Sequence, residues 1–231
     1  MRESLNRVYA LYLPPCIEQE RLVQRALQML SEEKRERLHK MKCRSEYNRI
    51  LFGDLLVRHI LSDVTGLAPE QLHFLRGPYG KPYSAEKPAV HFNLSHAGDY
   101  AVCAVSDGAV GIDVEQTGKC ERMLARQFFH QREADFLDSL PEPLYPEYFF
   151  RLWTLKEAYL KYRGTGLSAA LNSVSFIGAD GIFYTHGFEP ALCTAQLRLP
   201  GGYFVSVCGK QNMQGCIWLD ADTLLQEYGK G

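Results

Sequence analysis

Gly111-Ile112-Asp113-Val114-Glu115 alternates apolar and acidic residues. On a strand, successive side chains point to opposite faces, so Asp113 and Glu115 would share one face and Ile112 and Val114 the other. Two neighbouring carboxylates repel unless something positive lies between them. Hard oxygen donors so placed suit Mg²⁺, which takes a few carboxylates together with water and phosphate oxygens. A solvated strand face would carry the same letters, so the pair needs company. Trp153-Thr-Leu-Lys156-Glu157-Ala-Tyr-Leu-Lys161 supplies it, because helical spacing puts Trp153, Glu157 and Lys161 along one stripe. Glu157 could be a third metal ligand or a general base, and Lys161 could meet a phosphate. Taken alone, Glu157 and Lys161 could equally be an i,i+4 surface pair worth about 0.3 kcal/mol.

Asn93-Leu-Ser95-His96-Ala-Gly98 is a third polar segment, in which a hydroxyl, an imidazole and backbone amides could bind phosphate, or in which the histidine is simply satisfied within a loop. Serine beside histidine also suggests a hydrolase. Adjacent residues on a strand point apart, however, and no G-x-S-x-G elbow accompanies them. Cations gather at Lys34-Arg35-Glu36-Arg37 and between Arg76 and Lys81. Both could be solvated faces, and both are the kind of local charge a phosphate site needs.

The elements that must position these groups follow from periodicity. Val8 to Leu13 is a short apolar run that Pro14-Pro15 ends, too short for a membrane span or a signal segment, and it reads as a first strand. Helical spacing recurs over residues 18–30. Ser31, with Glu32 and Glu33 after it, caps a basic helix, and a long amphipathic helix runs from Ser45 to about Asp63 and stops at Thr65-Gly66. Residues 76–89 are dense in Gly and Pro and read as a structured loop leading into a polar loop at His91–Gly98. Tyr100–Val105 and Val110–Glu115 read as strands separated by Asp107-Gly108, which is either a hairpin turn or a link between lobes. Helices are expected over Arg122–Leu140 and Pro146–Tyr162. Strands follow at Val174–Tyr184, with a turn at Asp180-Gly181, and at Gln196–Leu199 facing Tyr203–Cys208.

The order strand, helices, strands thus occurs twice, and Gly98-Asp-Tyr-Ala-Val-Cys-Ala-Val echoes Gly202-Tyr-Phe-Val-Ser-Val-Cys. An α+β protein of two similar lobes is expected, rather than a doubly wound sheet. The boundary is placed at 108, giving lobes 1–108 and 109–231, with the C-terminal tail free to return to the first lobe. In 231 residues, 26 Lys and Arg face 27 Asp and Glu, so no general field attracts nucleic acid or anionic membrane. The seven cysteines are odd in number and lack a C-x-x-C pair, which favours reduced thiols and the cytoplasm.

Taken in order, Tyr79-Gly-Lys81-Pro82, Phe92-Asn-Leu-Ser95-His96, Gly111-Ile-Asp113-Val-Glu115 and Trp153-Thr-Leu-Lys156-Glu157-Ala-Tyr-Leu-Lys161 resemble the surfactin-synthetase-associated (Sfp-type) 4'-phosphopantetheinyl transferases. The likeness extends through Gly164-Thr-Gly166-Leu-Ser168. The resemblance implies a pseudo-twofold monomer with helices packed on mainly antiparallel sheets and coenzyme A bound between its lobes. It implies Mg²⁺, or Mn²⁺ in its place, on Asp113, Glu115 and Glu157, with Glu157, Lys161 and Asp113 as the catalytic groups. Lys161 would contact the pyrophosphate with help from Lys156, and Ser95, His96, Lys81, Arg76, Lys34 and Arg37 would lie about the nucleotide phosphates. Arg37 stands where the family often has lysine, which keeps the charge and changes the geometry. The implied partner is an acyl-, peptidyl- or aryl-carrier protein whose serine receives the phosphopantetheine arm. A Mg²⁺-dependent nuclease would also use acids and a lysine, but its usual E-x-K is missing, since Gln116 and Thr117 follow Glu115. A non-catalytic module binding coenzyme A or a carrier protein is the remaining alternative.

Overall fold

The computed structural model describes residues 5–13, 20–166, 171–177 and 192–229. They resolve into two compact units, one of Met1–Leu75, Pro82–Asp107 and Gln214–Gly231, the other of Arg76–Lys81 and Gly108–Met213.

The first unit is built on a four-stranded sheet. Strand β1 (Arg7–Tyr12) pairs antiparallel with β5 (Tyr100–Ser106), which pairs antiparallel with β4 (His91–Ala97). The C-terminal strand β9 (Cys216–Leu219) joins the outer edge of β1 in parallel. Helices α1 (Glu20–Leu27), α2 (Glu32–His39), α3 (Arg44–Thr65) and α7 (Ala221–Gly229) complete it. Ser31 caps α2 by accepting from the Lys34 amide, and α3 stops at Gly66, whose φ of 71° suits only a residue without Cβ. Leu51, Leu55, Leu56 and Ile60 recur along α3 and are buried in a core shared with β1 and β5.

The expected polar loop at His91–Gly98 is a strand over His91–Ala97, paired along its length with β5. Phe92 on one face and Asn93 and Ser95 on the other are all buried, so polarity alone misled the reading. The Gly- and Pro-rich stretch before it contains two short strands, β2 (Phe74–Arg76) and β3 (Pro82–Ser84), that pair with one another.

In the second unit, β6 (Val110–Gln116) and β7 (Cys193–Leu199) flank β8 (Tyr203–Gly209), both antiparallel. The long helix α6 (Tyr145–Arg163) lies across β6 and β8 and ends at Gly164, φ 66°. The helix expected over Arg122–Leu140 is two, α4 (Arg122–Phe128) and α5 (Gln131–Ser139). His130 breaks it by capping α5: its Nδ1 accepts from the Arg132 amide while Glu133 accepts from the His130 amide. Leu171–Ser173 form a 3₁₀ turn, and most of the strand expected at Val174–Tyr184, with its Asp180-Gly181 turn, lies outside the described residues.

The two units are wired alike. Each runs strand, helices, then a hairpin whose second strand inserts beside the first, giving the orders β4-β5-β1 and β7-β8-β6. The sequence echo falls on β5 and β8, each flanked by a strand on both sides, and every residue of both is buried. Asp107-Gly108 therefore joins one sheet to the other and is no hairpin turn. No helix among the described residues is long and apolar enough to cross a membrane, and Cys43, Cys103, Cys120, Cys193, Cys208 and Cys216 are all free thiols.

Candidate active site

Strand β6 delivers the acids where it passes under α6. The crossing occurs at Gly111, where a Cβ would stand 2.0 Å from the Ala158 carbonyl oxygen and 2.2 Å from the Tyr162 nitrogen. Backbone therefore rests on backbone, and only glycine permits it. Two residues on, Asp113 lies opposite Ser206 of β8, and Glu115 lies opposite Phe204.

Helix α6 brings Glu157 and Lys161 to the same place, and the Lys161 Nζ donates to Asp113 Oδ1 at 2.6 Å. The lysine side chain keeps 29% of its exposure and the aspartate 6%, so this contact sits at the edge of the core, where charge interactions are poorly screened. A polar network under the helix fixes its rotation. Thr154 and Ser206 hydroxyls meet at 2.7 Å, and the Gln196 amide donates both to Ser206 and to the Arg151 carbonyl, each at 2.9 Å. On the Glu157 stripe, Trp153 stacks on Phe149, 6.0 Å between ring centres.

The carboxylates feel one another. Burial pushes Glu115 up from about 4.5 to about 7, and the charges of Asp113 and Glu157 add to the rise against the opposing pull of Lys161. Glu157 is raised by burial and then by Asp113, again opposed by Lys161. Fully ionised, three carboxylates and one ammonium leave two negative charges in excess, and an all-oxygen donor set of that charge fits a hard divalent cation. Among the described residues no three His, Cys, Asp or Glu side chains are gathered as a ready ligand set; the nearer Asp113 oxygen is taken by Lys161 instead.

The other expected contacts fare differently. Lys156 is no pyrophosphate contact: it is fully buried, its Nζ 2.6 Å from the equally buried Glu133 and donating to the Leu171 and Val174 carbonyls at 2.8 Å each. Glu133 also accepts from the Phe176 amide at 2.8 Å. The pair ties α5, α6 and the 171–177 segment together, and burial lowers the lysine against the opposing effect of Glu133. Lys81 donates to two backbone carbonyls, Val110 at 2.7 Å and Lys161 at 2.6 Å, and desolvation pulls it down to about 8, so its ammonium is committed within the second unit. Arg76 holds the turn beside it by donating to the Gly80 carbonyl at 3.1 Å.

Lys34, Arg37, Ser95 and His96 belong to the first unit. Lys34 is ion-paired with the buried Asp54, which also accepts from Arg58 Nε at 2.6 Å. Arg37 makes an exposed pair with Glu46 at 4.0 Å. Ser95 is buried and His96 exposed, on opposite faces of β4, so the two side chains do not form one cluster. Gly111, Thr154, Ser206, Gln196 and Glu133 escaped the sequence reading. The legible signal was Gly111, a glycine inside a strand, which marks a close backbone approach.

A family model described as the 4'-phosphopantetheinyl transferase superfamily matches residues 109–208, and one described as the N-terminal part of 4'-phosphopantetheinyl transferase matches residues 17–108. The 4'-phosphopantetheinyl transferase Sfp of Bacillus subtilis (strain 168) is 34% identical over 73% of this chain and 75% of its own length. The 4'-phosphopantetheinyl transferase psf-1 of Bacillus pumilus is 36% identical over 72% of each chain. The 4'-phosphopantetheinyl transferase gsp of Aneurinibacillus migulanus is 36% identical over 69% of this chain and 68% of its own.

Proposed function

The chain belongs to the 4'-phosphopantetheinyl transferase superfamily, and from that premise we infer that it moves the phosphopantetheine arm of coenzyme A onto a serine of an acyl-, peptidyl- or aryl-carrier protein, releasing adenosine 3',5'-bisphosphate. The observation that carries the assignment of chemistry to β6 and α6 is the 2.6 Å contact of Lys161 with Asp113, whose charges act on both Glu115 and Glu157. Asp113, Glu115 and Glu157 would hold Mg²⁺, or Mn²⁺ in its place. The ion, when bound, supplies positive charge for a diphosphate.

The protein's own groups then divide the work. The serine Oγ attacks the pantetheine-side phosphorus, the bond from that phosphorus to the bridging oxygen breaks, and the serine proton passes to the Glu157 carboxylate. Glu157, its charged form favoured by a shared Mg²⁺, acts as a weak base that relies on its proximity to the serine. Lys161, steadied by Asp113, offers its ammonium to the leaving phosphate, a charge-assisted interaction held ready before charge develops. We place the protein in the cytoplasm as a monomer, acting on neither nucleic acid nor membrane, in keeping with its balanced charge and with the free thiols among the described residues.

The test mixes the protein with coenzyme A, Mg²⁺ and an apo carrier protein and reads the carrier's intact mass. One added phosphopantetheinyl group is expected. A carrier that stays apo with every class of carrier protein supplied would refute the reading.

A further inference from the structure

Lys81 occupies a place that a phosphate contact would not explain. Its ammonium bridges two elements, reaching the Val110 carbonyl at the start of β6 and the Lys161 carbonyl in the last turn of α6. Between those two carbonyls lies the bare crossing at Gly111, whose absent Cβ would meet Ala158, Tyr162 and the Lys161 carbonyl carbon, the last at 2.9 Å. A crossing of backbone on backbone has no interdigitated side chains to fix its register, so a directional tie must do so. The last-turn carbonyl of Lys161 also accepts from the Gly164 amide at 3.3 Å. A lysine at a helix C-terminus suits the negative end of the helix dipole as well. The Lys81 stem lies against Gly164, 3.7 Å from where a Cβ would be, so the side chain is laid along the helix end rather than turned to solvent.

Both groups that Lys81 ties are adjacent to the chemistry. Val110 is three residues from Asp113, and Lys161 itself reaches Asp113. We propose that Lys81 is a positioning residue for the transfer reaction, locking the β6–α6 crossing so that the Lys161 ammonium and the Asp113 carboxylate stay in contact, and that it makes no contact with coenzyme A. The proposal rests on the role given to Lys161 above. A phosphate contact would require Lys81 to abandon two short bonds from a site that already disfavours its charge.

The experiment measures kcat and the KM for coenzyme A in Lys81→Met, Lys81→Arg and Lys161→Ala, with the thermal midpoint of each. Lys81→Met keeps an unbranched stem and removes the donor. Its kcat is expected to fall about tenfold or more well below its unfolding temperature, with the KM for coenzyme A within about threefold of the parent. Lys81→Arg, which keeps charged donors, should recover most of that loss. A raised KM with intact kcat in Lys81→Met would make Lys81 a substrate contact and overturn the proposal. A lowered midpoint with parental kcat would make it merely structural and overturn it equally. If Lys81→Met does not fold, Lys81→Gln, with one amide donor, is read by the same split. Parental activity in Lys161→Ala would remove the role of Lys161 and this inference with it, whereas a dead Lys161→Ala beside a fully active Lys81→Met refutes the inference alone.

Discussion

Gly111→Ala sets two physical effects against each other at one atom. Inside a strand, alanine should be preferred to glycine by about 0.5–1 kcal/mol, because glycine loses more backbone freedom on folding. The new methyl, however, would stand 2.0 Å from the Ala158 oxygen and 2.2 Å from the Tyr162 nitrogen, against an ordinary contact of about 3.5 Å. Strand and helix must therefore part by about 1.5 Å, and neither obstacle is a flexible side chain that can swing away. Overpacking of this kind costs about 1–3 kcal/mol, which exceeds the propensity gain, so the variant should be less stable. The same displacement acts on a 2.6 Å contact between Lys161 and Asp113, and a shift of about 1 Å at reacting groups can cost about a hundredfold in rate. The assay follows carrier-protein mass under saturating coenzyme A, alongside urea denaturation. A variant as stable and as fast as the parent would refute the backbone-on-backbone crossing.

Asp113→Ala, Glu157→Ala and Lys161→Ala should each abolish or severely reduce transfer while far-ultraviolet circular dichroism stays parental; a near-normal rate in any of them removes that residue from the assignment. Glu115 binds its proton more tightly in the folded state, at about 7, than an ordinary carboxyl does. Without cation, stability should thus fall as pH rises from about 4.5 to about 7, and Mg²⁺ should raise the thermal midpoint more at pH 8 than at pH 6 by relieving that repulsion; a Mg²⁺ response independent of pH would count against it. Asp54→Ala strands the buried Arg58 and should cost about 3–5 kcal/mol in urea denaturation, with a loss under about 1 kcal/mol contradicting the pairing. Lys156→Met should destabilise more than the double variant Lys156→Met with Glu133→Gln, since the single change leaves a buried carboxylate unpaired; equal losses would refute that account.

Much of this was readable from the letters because the signals were local. The period of Leu51, Leu55 and Ile60 gave α3, and the alternation of Asp113 and Glu115 put both on one strand face before any partner was known. Lys156 was misread because it sits inside a motif with chemistry on either side. Its helical neighbours at i−4 and i+4 are Leu152 and Leu160, both buried, so the spacing already marked it as a core position in need of an opposite charge. The ties of Lys81 were beyond such reading: its acceptors are backbone carbonyls 29 and 80 residues away, and no residue type announces a carbonyl.

The shared wiring of the two units raises the question of why only one carries the acids. Strand β1 has neighbours on both edges, β5 and β9, and its interior residues Val8, Tyr9, Ala10 and Leu11 are all buried. A carboxylate there would be desolvated without a route to a cation and would shift toward neutrality. Its counterpart β6 is paired on one side alone among the described residues, in the order β6-β8-β7, and its burial relaxes from Asp113 to Gln116. An edge strand that emerges from the core along its length can hold an acid at each depth, Asp113 more enclosed and Glu115 less, and charged residues on such an edge also discourage pairing with other chains. On this argument β9 does more than extend a sheet: it covers the edge of β1 whose counterpart on β6 is left unpaired among the described residues.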